Sequence, residues 1–287
     1  MLLRKKWILV ILTVLTVSVW YGAFSVPSAS EGLSVYVFDV GQGDSIFIET
    51  VSGNQILIDG GPTDAVLAQL GRVMSSYDRS IDMLILTHPD ADHLNGLVDV
   101  IGRYEIGTVV ETGVLHETEE YKVWHERIGE KEIPVIYAHA GQEFLLDKHV
   151  TLKILAPFYE QAGKEVKKIN NTSVVARLDY GESSLLLTGD IESSEERKLV
   201  ILSESLDTDI LKVGHHGSKT SSSDIFLEKI SPMVALVSVG RNSRYGHPHQ
   251  EVLNALKREH VEVHRTDMEG TLLLRMYEDG TYSINGY

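Results

Sequence analysis

From residue 33 onward the apolar positions fall into short runs separated by turn-forming residues, the pattern of strands rather than long helices. Runs 33–38 and 45–50 read as strands, with Gly41-Gln42-Gly43-Asp44 as the turn between them. A third strand at 55–59 stops at Gly60-Gly61-Pro62, and a helix is predicted over 64–74. The apolar run 83–87 is short enough to be a buried strand. Strand-like 106–110, a polar helix over 118–130 and strand-like 135–137 follow. Segments 150–155, 173–178 and 184–188 form a second, antiparallel set. Beyond them, helices at 193–203, 223–230 and 250–258 alternate with strands at 209–213, 233–239 and 261–264, before a final hairpin over 270–284. Two β-rich runs, each followed by βα units, predict an α/β domain of two mixed sheets facing each other with helices outside, and a cleft at the strand ends. The polar, lysine-rich stretch 160–171 is expected to be a mobile loop.

The first thirty residues break this pattern. Arg4, Lys5 and Lys6 precede an uncharged run from Trp7 to Phe24, which ends in Ser25-Val26-Pro27-Ser28-Ala29-Ser30. A basic flank, an apolar core and a small-residue exit describe a signal peptide or an N-terminal membrane anchor over 1–30. The charge asymmetry would place the remainder, 31–287, outside the cytoplasm, secreted or tethered through residues 7–24. A formal charge of −15 argues against a broad basic surface for nucleic acid, although bound cations would offset part of it at a site. With no cysteine, thiolate metal sites and a cysteine nucleophile are excluded.

The chemistry concentrates where the strands end. After the run 83–87 comes His88-Pro89-Asp90-Ala91-Asp92-His93, four ligand-type side chains within six residues. Pro89 enforces an extended backbone, so that His88 and Asp90 can face one ion while Asp92 and His93, at the next helix start, face a second. A helix cap would use one carboxylate and leave two histidines and another acid unexplained. Imidazole and carboxylate together suit zinc, manganese or iron. Asp190, after an apolar strand and Gly189, could bridge both ions. In Gly214-His215-His216-Gly217-Ser218 one of the two neighbouring histidines is expected to ligate, and His215 is favoured. His247 follows another buried strand in a segment that also carries Asn242.

In that order, Asp59-Gly60-Gly61, the ligand cluster, Thr188-Gly189-Asp190 and Gly214-His215 resemble the motifs of metallo-β-lactamase-fold hydrolases, over about residues 33–287. The resemblance implies an αββα sandwich holding two divalent ions, zinc or manganese, in the cleft between its sheets. It implies that His88, Asp92, His93, Asp190 and His215 occupy ligand positions, and that Asp59 is an acid orienting the ligand loop. Two departures stand out: Asp90 replaces the usual histidine, and Asn170-Asn171-Thr172-Ser173 occupies the region where a further histidine is expected. Both make the first site harder and favour manganese. Together with Phe38-Asp39-Val40-Gly41-Gln42-Gly43-Asp44-Ser45, Lys212-Val213-Gly214-His215-His216-Gly217-Ser218 and Tyr245-Gly246-His247-Pro248, these departures are similar to the hydrolase domain of ComEC-type DNA-uptake proteins.

That similarity leads to the expectation of an extracytoplasmic phosphodiesterase, a nuclease on single-stranded DNA, with two metals held by His88, Asp90, Asp92, His93, Asp190 and His215. His247, Asn242, Ser218 or Lys219 would grip the phosphate or protonate the leaving oxygen, with Asp92, Asp190 and His247 central to catalysis. Asp39, Gln42 and Asp44 are placed beside the cleft, with Asp39, Asp44 and Asp59 behind the ligands. Candidate base-stacking rings are Tyr104, Tyr121, Trp124 and Tyr245. Two alternatives stay open: a hydrolase of a non-nucleic-acid ester, lactone or phosphorylated envelope component, and a metal-stabilised binding protein without turnover. The sequence does not identify a channel partner.

Overall fold

The structure is a computed structural model and describes residues 32–203 and 205–287; the expected leader over 1–30 lies outside the described residues. Among the described residues no helix is long and apolar enough to cross a membrane.

Period-two alternation builds the layers. In β1 (Leu33–Val37), β2 (Ile46–Glu49) and β3 (Gln55–Ile58), the residues Val35, Val37, Ile46, Ile48, Ile56 and Ile58 enter one core, while Tyr36, Phe47 and Leu57 enter another. Strands apolar on both faces must be covered on both. These three join β4 (Ser80–Leu86), β5 (Glu105–Glu111), β6 (Val135–Tyr137), β14 (Leu272–Met276) and β15 (Tyr282–Gly286) in an eight-stranded sheet of order β15-β14-β1-β2-β3-β4-β5-β6. The β3–β6 portion is parallel and the rest antiparallel.

The second sheet has seven strands: β7 (Glu143–Asp147), β8 (Val150–Ala156), β9 (Val175–Tyr180), β10 (Ser183–Leu187), β11 (Ile210–Lys212), β12 (Val234–Val237) and β13 (Glu262–Arg265). Here β8, β9 and β10 are antiparallel, as expected, and β10 through β13 parallel. Leu152, Ile154, Leu185, Leu187 and Leu236 meet Val35, Ile48 and Ile85 in the shared inter-sheet core.

Helices close both outer faces. Leu70 of α1 (Ala65–Val73), Leu97 of α2 (Ala91–Arg103) and Trp124 of α3 (Glu119–Glu130) pack on the first sheet. Leu199 of α4 (Ser193–Leu202), Phe226 of α5 (Asp224–Ile230) and Leu256 of α6 (Gln250–Arg258) pack on the second. A short α7 (Thr266–Glu269) leads into the final hairpin. The expected αββα sandwich is the fold. The pattern of apolar residues did not delimit α2, whose start is set by the ligand cluster, nor did it show the edge strand β7. The far end of the stretch expected to be a mobile loop is a 3₁₀ turn at Asn170–Thr172, closed by a Thr172 N–H bond of 2.9 Å to the Ile169 carbonyl.

Candidate metal centre

Parallel strands β4, β10, β11 and β12 release their chains toward a common edge, where the loops after them gather the acids and histidines. At the end of β4, Thr87 to Asp90 cross into α2. Asp90 stands at the N-cap position with φ −71° and ψ 148°, yet its side chain caps nothing. The carboxylate is therefore free to serve elsewhere, and one oxygen lies 3.6 Å from His88 Nε2. Asp92, in the first turn of α2, faces His216, with Oδ2 3.4 Å from Nε2.

Hydrogen bonds behind the site fix how each histidine presents itself. The single Thr87 hydroxyl proton goes to Asp59 Oδ2 at 2.7 Å, and that of Ser173 goes to the Asn170 carbonyl at 2.6 Å. Both hydroxyls thus offer only lone pairs to His88 Nδ1, at 3.0 and 3.2 Å, so the ring carries its proton on Nδ1. His93 Nδ1 meets Asp59 Oδ2 at 2.7 Å, and His216 Nδ1 meets the Ser238 carbonyl at 3.0 Å. Three buried imidazoles are held in the same tautomer, each presenting an Nε2 lone pair. All three Nε2 atoms, together with Asp190 Oδ1, are buried without a hydrogen-bond partner. His88, His93 and Asp190 form one cluster of ligand atoms within 4.8 Å of one another, and Asp92, His93 and His216 form a second. Such a face is costly to bury unless a cation completes it, and imidazoles backed by carboxylates and carbonyls are the usual metal-ligand arrangement. The residues fit the divalent ions that the fold implies.

The choice between neighbouring histidines is revised. His216, fully buried, joins the clusters, whereas His215 sits at the rim with its Nε2 3.9 Å from Asp190 Oδ2. The reason is conformational: His215 and His216 both take left-handed backbone, at φ 50° and 53°, so the chain rotates His216 inward. His215 Nε2 is already engaged, 3.3 Å from the Asn170 carboxamide nitrogen, and Nδ1 lies 3.2 Å from Thr220 Oγ1. Two consecutive left-handed non-glycine residues cost of order 1–3 kcal/mol each, and they occur where a ligand must be aimed.

Behind His216 stands a chain the sequence reading missed. Lys212, the last residue of β11 and fully buried, donates to Asp44 Oδ2, while Asp44 Oδ1 lies 3.3 Å from His216 Nδ1. Burial would raise the Asp44 carboxyl, but Lys212 and His216 outweigh it and hold it below the ordinary carboxylate range. Asp190 follows the same logic: burial opposes the charge, and His216 with His93 more than restores it. The corresponding cations on His93 and His216 are opposed by burial and held by Asp190 with Asp59 or Asp44. A proton and a metal ion would compete for these same Nε2 atoms, so metal binding would release protons. A lysine in the otherwise apolar run Ile210-Leu211-Lys212-Val213 was the signal for this chain.

The remaining expected residues divide. Asp59 and Asp44 stand behind His93 and His216, but Asp39 does not reach the histidines; it accepts the Gly41 N–H at 3.2 Å and lines a cavity of about 620 Å³ that also includes Asp92 and Asn242. His247 lies beside the centre, ring to ring 5.6 Å from His215 and 6.3 Å from His216. Burial, then the charges of His216 and His215, push it down to about 4. Ser218 is not at the cavity: its hydroxyl pairs with Thr220 Oγ1 at 3.0 Å inside the histidine turn. Lys219 lines a separate shallow depression with Ser221 and Asp224. Neither residue lines the cavity that holds Asp92 and Asn242.

Close backbone approach fixes the frame. A Cβ on Gly43 would fall 2.1 Å from the Asp92 carbonyl oxygen, and one on Gly60 would fall 2.3 Å from Leu97 N. The 41–44 turn and the start of α2 can therefore lie against one another only with glycine at these positions.

Comparison with known proteins agrees with this geometry. The family model for the metallo-β-lactamase superfamily matches residues 38–241. ComE operon protein 3 of Bacillus subtilis (strain 168) is 31% identical over 93% of this chain and 36% of its own length. Competence protein ComA of Neisseria gonorrhoeae is 32% identical over 83% of this chain and 32% of its own. The chain thus spans about a third of the length of these curated relatives. Among solved structures, CmlA, a diiron β-hydroxylase from Streptomyces venezuelae, superposes with a TM-score of 0.55 at 13% identity, covering 86% of this chain and 55% of that one. The metallo-β-lactamase fold protein YhfI from Bacillus subtilis gives 0.52 at 14% identity, over 81% and 96%. The chain belongs to the metallo-β-lactamase superfamily, as a hydrolase-fold member related to competence proteins.

Proposed function

We propose that the protein is an extracytoplasmic phosphodiesterase that cleaves DNA with the help of two divalent ions, manganese or zinc. The observation that carries this reading is the convergence of three unpartnered, tautomer-locked Nε2 atoms and the Asp190 carboxylate on one buried face. His88 and Asp90 would hold the first ion, Asp92, His93 and His216 the second, and Asp190 would bridge them. When bound, such a pair supplies a water acidic enough to attack at neutral pH and positive charge for the developing anion.

The chain's own residues do the positioning. Thr87, Asp59 and Ser173 fix the rings of His88 and His93; Lys212 and Asp44 fix His216. His247, ring to ring 6.3 Å from His216, would meet an oxygen of a phosphate seated over the centre. Asn242 lines the adjoining cavity, where the substrate chain would continue. The nucleic-acid substrate draws support from the relatives, one named for competence and another, of Haemophilus influenzae, named Recombination protein 2. The location outside the cytoplasm draws on the basic and apolar pattern of residues 4–24.

The test is cleavage of single-stranded DNA by purified full-length protein supplied with manganese or zinc, beside an Asp92→Ala control. Metal-dependent products that are lost in the control are expected. An intact substrate with metal bound would contradict the nuclease reading and redirect attention to small esters.

A further inference from the structure

Of the four rings that could stack a base, three are unavailable. Tyr104, Tyr121 and Trp124 are buried in the core between α2, α3 and the first sheet. Tyr245 is 67% exposed, and its ring lies 5.6 Å from that of His247 at 28°, a stacked arrangement. It lines the same cavity of about 620 Å³ that reaches Asp92, one wall of which carries Arg241 and Arg244. On the facing turn, Gln42 lines the cavity, and both polar atoms of its carboxamide are buried without a hydrogen-bond partner. The two walls touch: a Cβ on Gly240 would fall 2.6 Å from Gln42 N, so the distance between them is set by backbone contact.

We propose that this cavity is a nucleobase subsite, in which Tyr245 stacks on the base of a nucleotide flanking the scissile phosphate. The inference rests on the phosphodiesterase reading and specifies its substrate. An aromatic face binds any base, because every base has a π-face. The Gln42 carboxamide, with one acceptor and two donors, is suited to a base edge. Arg241 and Arg244 give local positive charge on a chain of net charge −15, where an adjacent phosphate would run. The volume suits a small-molecule-sized group (roughly 300–1,000 Å³). Bases in a duplex are paired and stacked on one another, so this subsite selects single strands.

The test uses the full-length protein with manganese, a single-stranded oligothymidylate and an oligomer of equal length with abasic residues throughout. Binding is followed by fluorescence anisotropy and cleavage by gel, for wild type, Tyr245→Ala and Tyr245→Phe. Wild type should prefer the thymidylate by about tenfold in binding and in KM, within the range seen for one stacked base. Tyr245→Ala should lose that preference, and Tyr245→Phe should restore it. Equal wild-type use of both oligomers, or a Tyr245→Ala variant that keeps the preference, would overturn the subsite and leave the phosphodiesterase reading standing. Base-dependent, Tyr245-dependent binding without any cleavage would uphold the subsite and overturn the phosphodiesterase reading. Neither binding preference nor cleavage would overturn both.

Discussion

At the scale of single residues, the site is organised by proton ownership. Each hydroxyl and carboxylate behind the histidines has its hydrogen-bonding role fixed by another group, which leaves the three Nε2 atoms as donors of lone pairs. Asp59 is central to this, accepting from the Thr87 amide and hydroxyl as well as from His93. An Asp59→Asn substitution should weaken metal affinity by about 10–100-fold, as losses of such supporting partners do; titration with a metal-sensitive dye measures it, and unchanged affinity would refute the role. Most ligand candidates were legible because acids and histidines directly followed apolar strands. That His216 rather than His215 turns inward was not legible, since it depends on two left-handed residues that no periodicity encodes. Lys212 was overlooked for a related reason: a charged residue within a buried strand carries meaning only once its partner Asp44, distant in sequence, is in place.

At the scale of elements, alternation in β1 to β3 and the βα repeats carried the fold, while β7 and the extent of α2 escaped because one is half-exposed and the other begins inside the ligand motif. The turn between β1 and β2 was read as a turn, but its role as a packing surface against α2 depends on the missing Cβ of Gly43. Gly43→Ala should destabilise the protein by about 1–3 kcal/mol, as overpacking does, and shift Asp92; denaturant unfolding with metal-content analysis would show both. A second prediction concerns the junction of β5 and α3. Glu111 is buried there, accepts the Trp124 Nε1 hydrogen at 2.8 Å and lies 3.6 Å from His125 Nε2. Burial raises its pKa above the ordinary 4.5 despite the opposing His125. The native state therefore holds this proton more tightly than the unfolded chain. The resulting stability is present in full below the ordinary pKa and is lost as pH rises through the raised value. Glu111→Gln keeps an acceptor for Trp124 and does not ionise, so its melting temperature should gain on wild type between pH 4.5 and neutrality. A gap that does not change with pH would contradict this.

At the scale of the whole molecule, an acidic chain is proposed to act on a polyanion. The contradiction eases only if positive charge is local: two ions at the strand ends and the Arg241–Arg244 segment beside them. Binding of single-stranded DNA should accordingly collapse on chelation with EDTA, by about tenfold or more, and weaken with salt less steeply than for a protein with a broad basic face; anisotropy titrations at several salt concentrations measure both. The sandwich and its cleft were legible in the order of elements, and membership of the superfamily followed from the ordered motifs. What the cleft holds depends on side chains from four loops meeting in space.

The most direct test of that meeting is a count of metal ions. Full-length protein equilibrated with manganese or zinc, freed of excess and measured by elemental analysis, should carry about two ions per chain. His216→Ala should carry about one and His215→Ala about two. A wild-type chain that retains no ion, or a His215→Ala variant that loses what His216→Ala keeps, would contradict a centre built on His88, His93, His216 and Asp190.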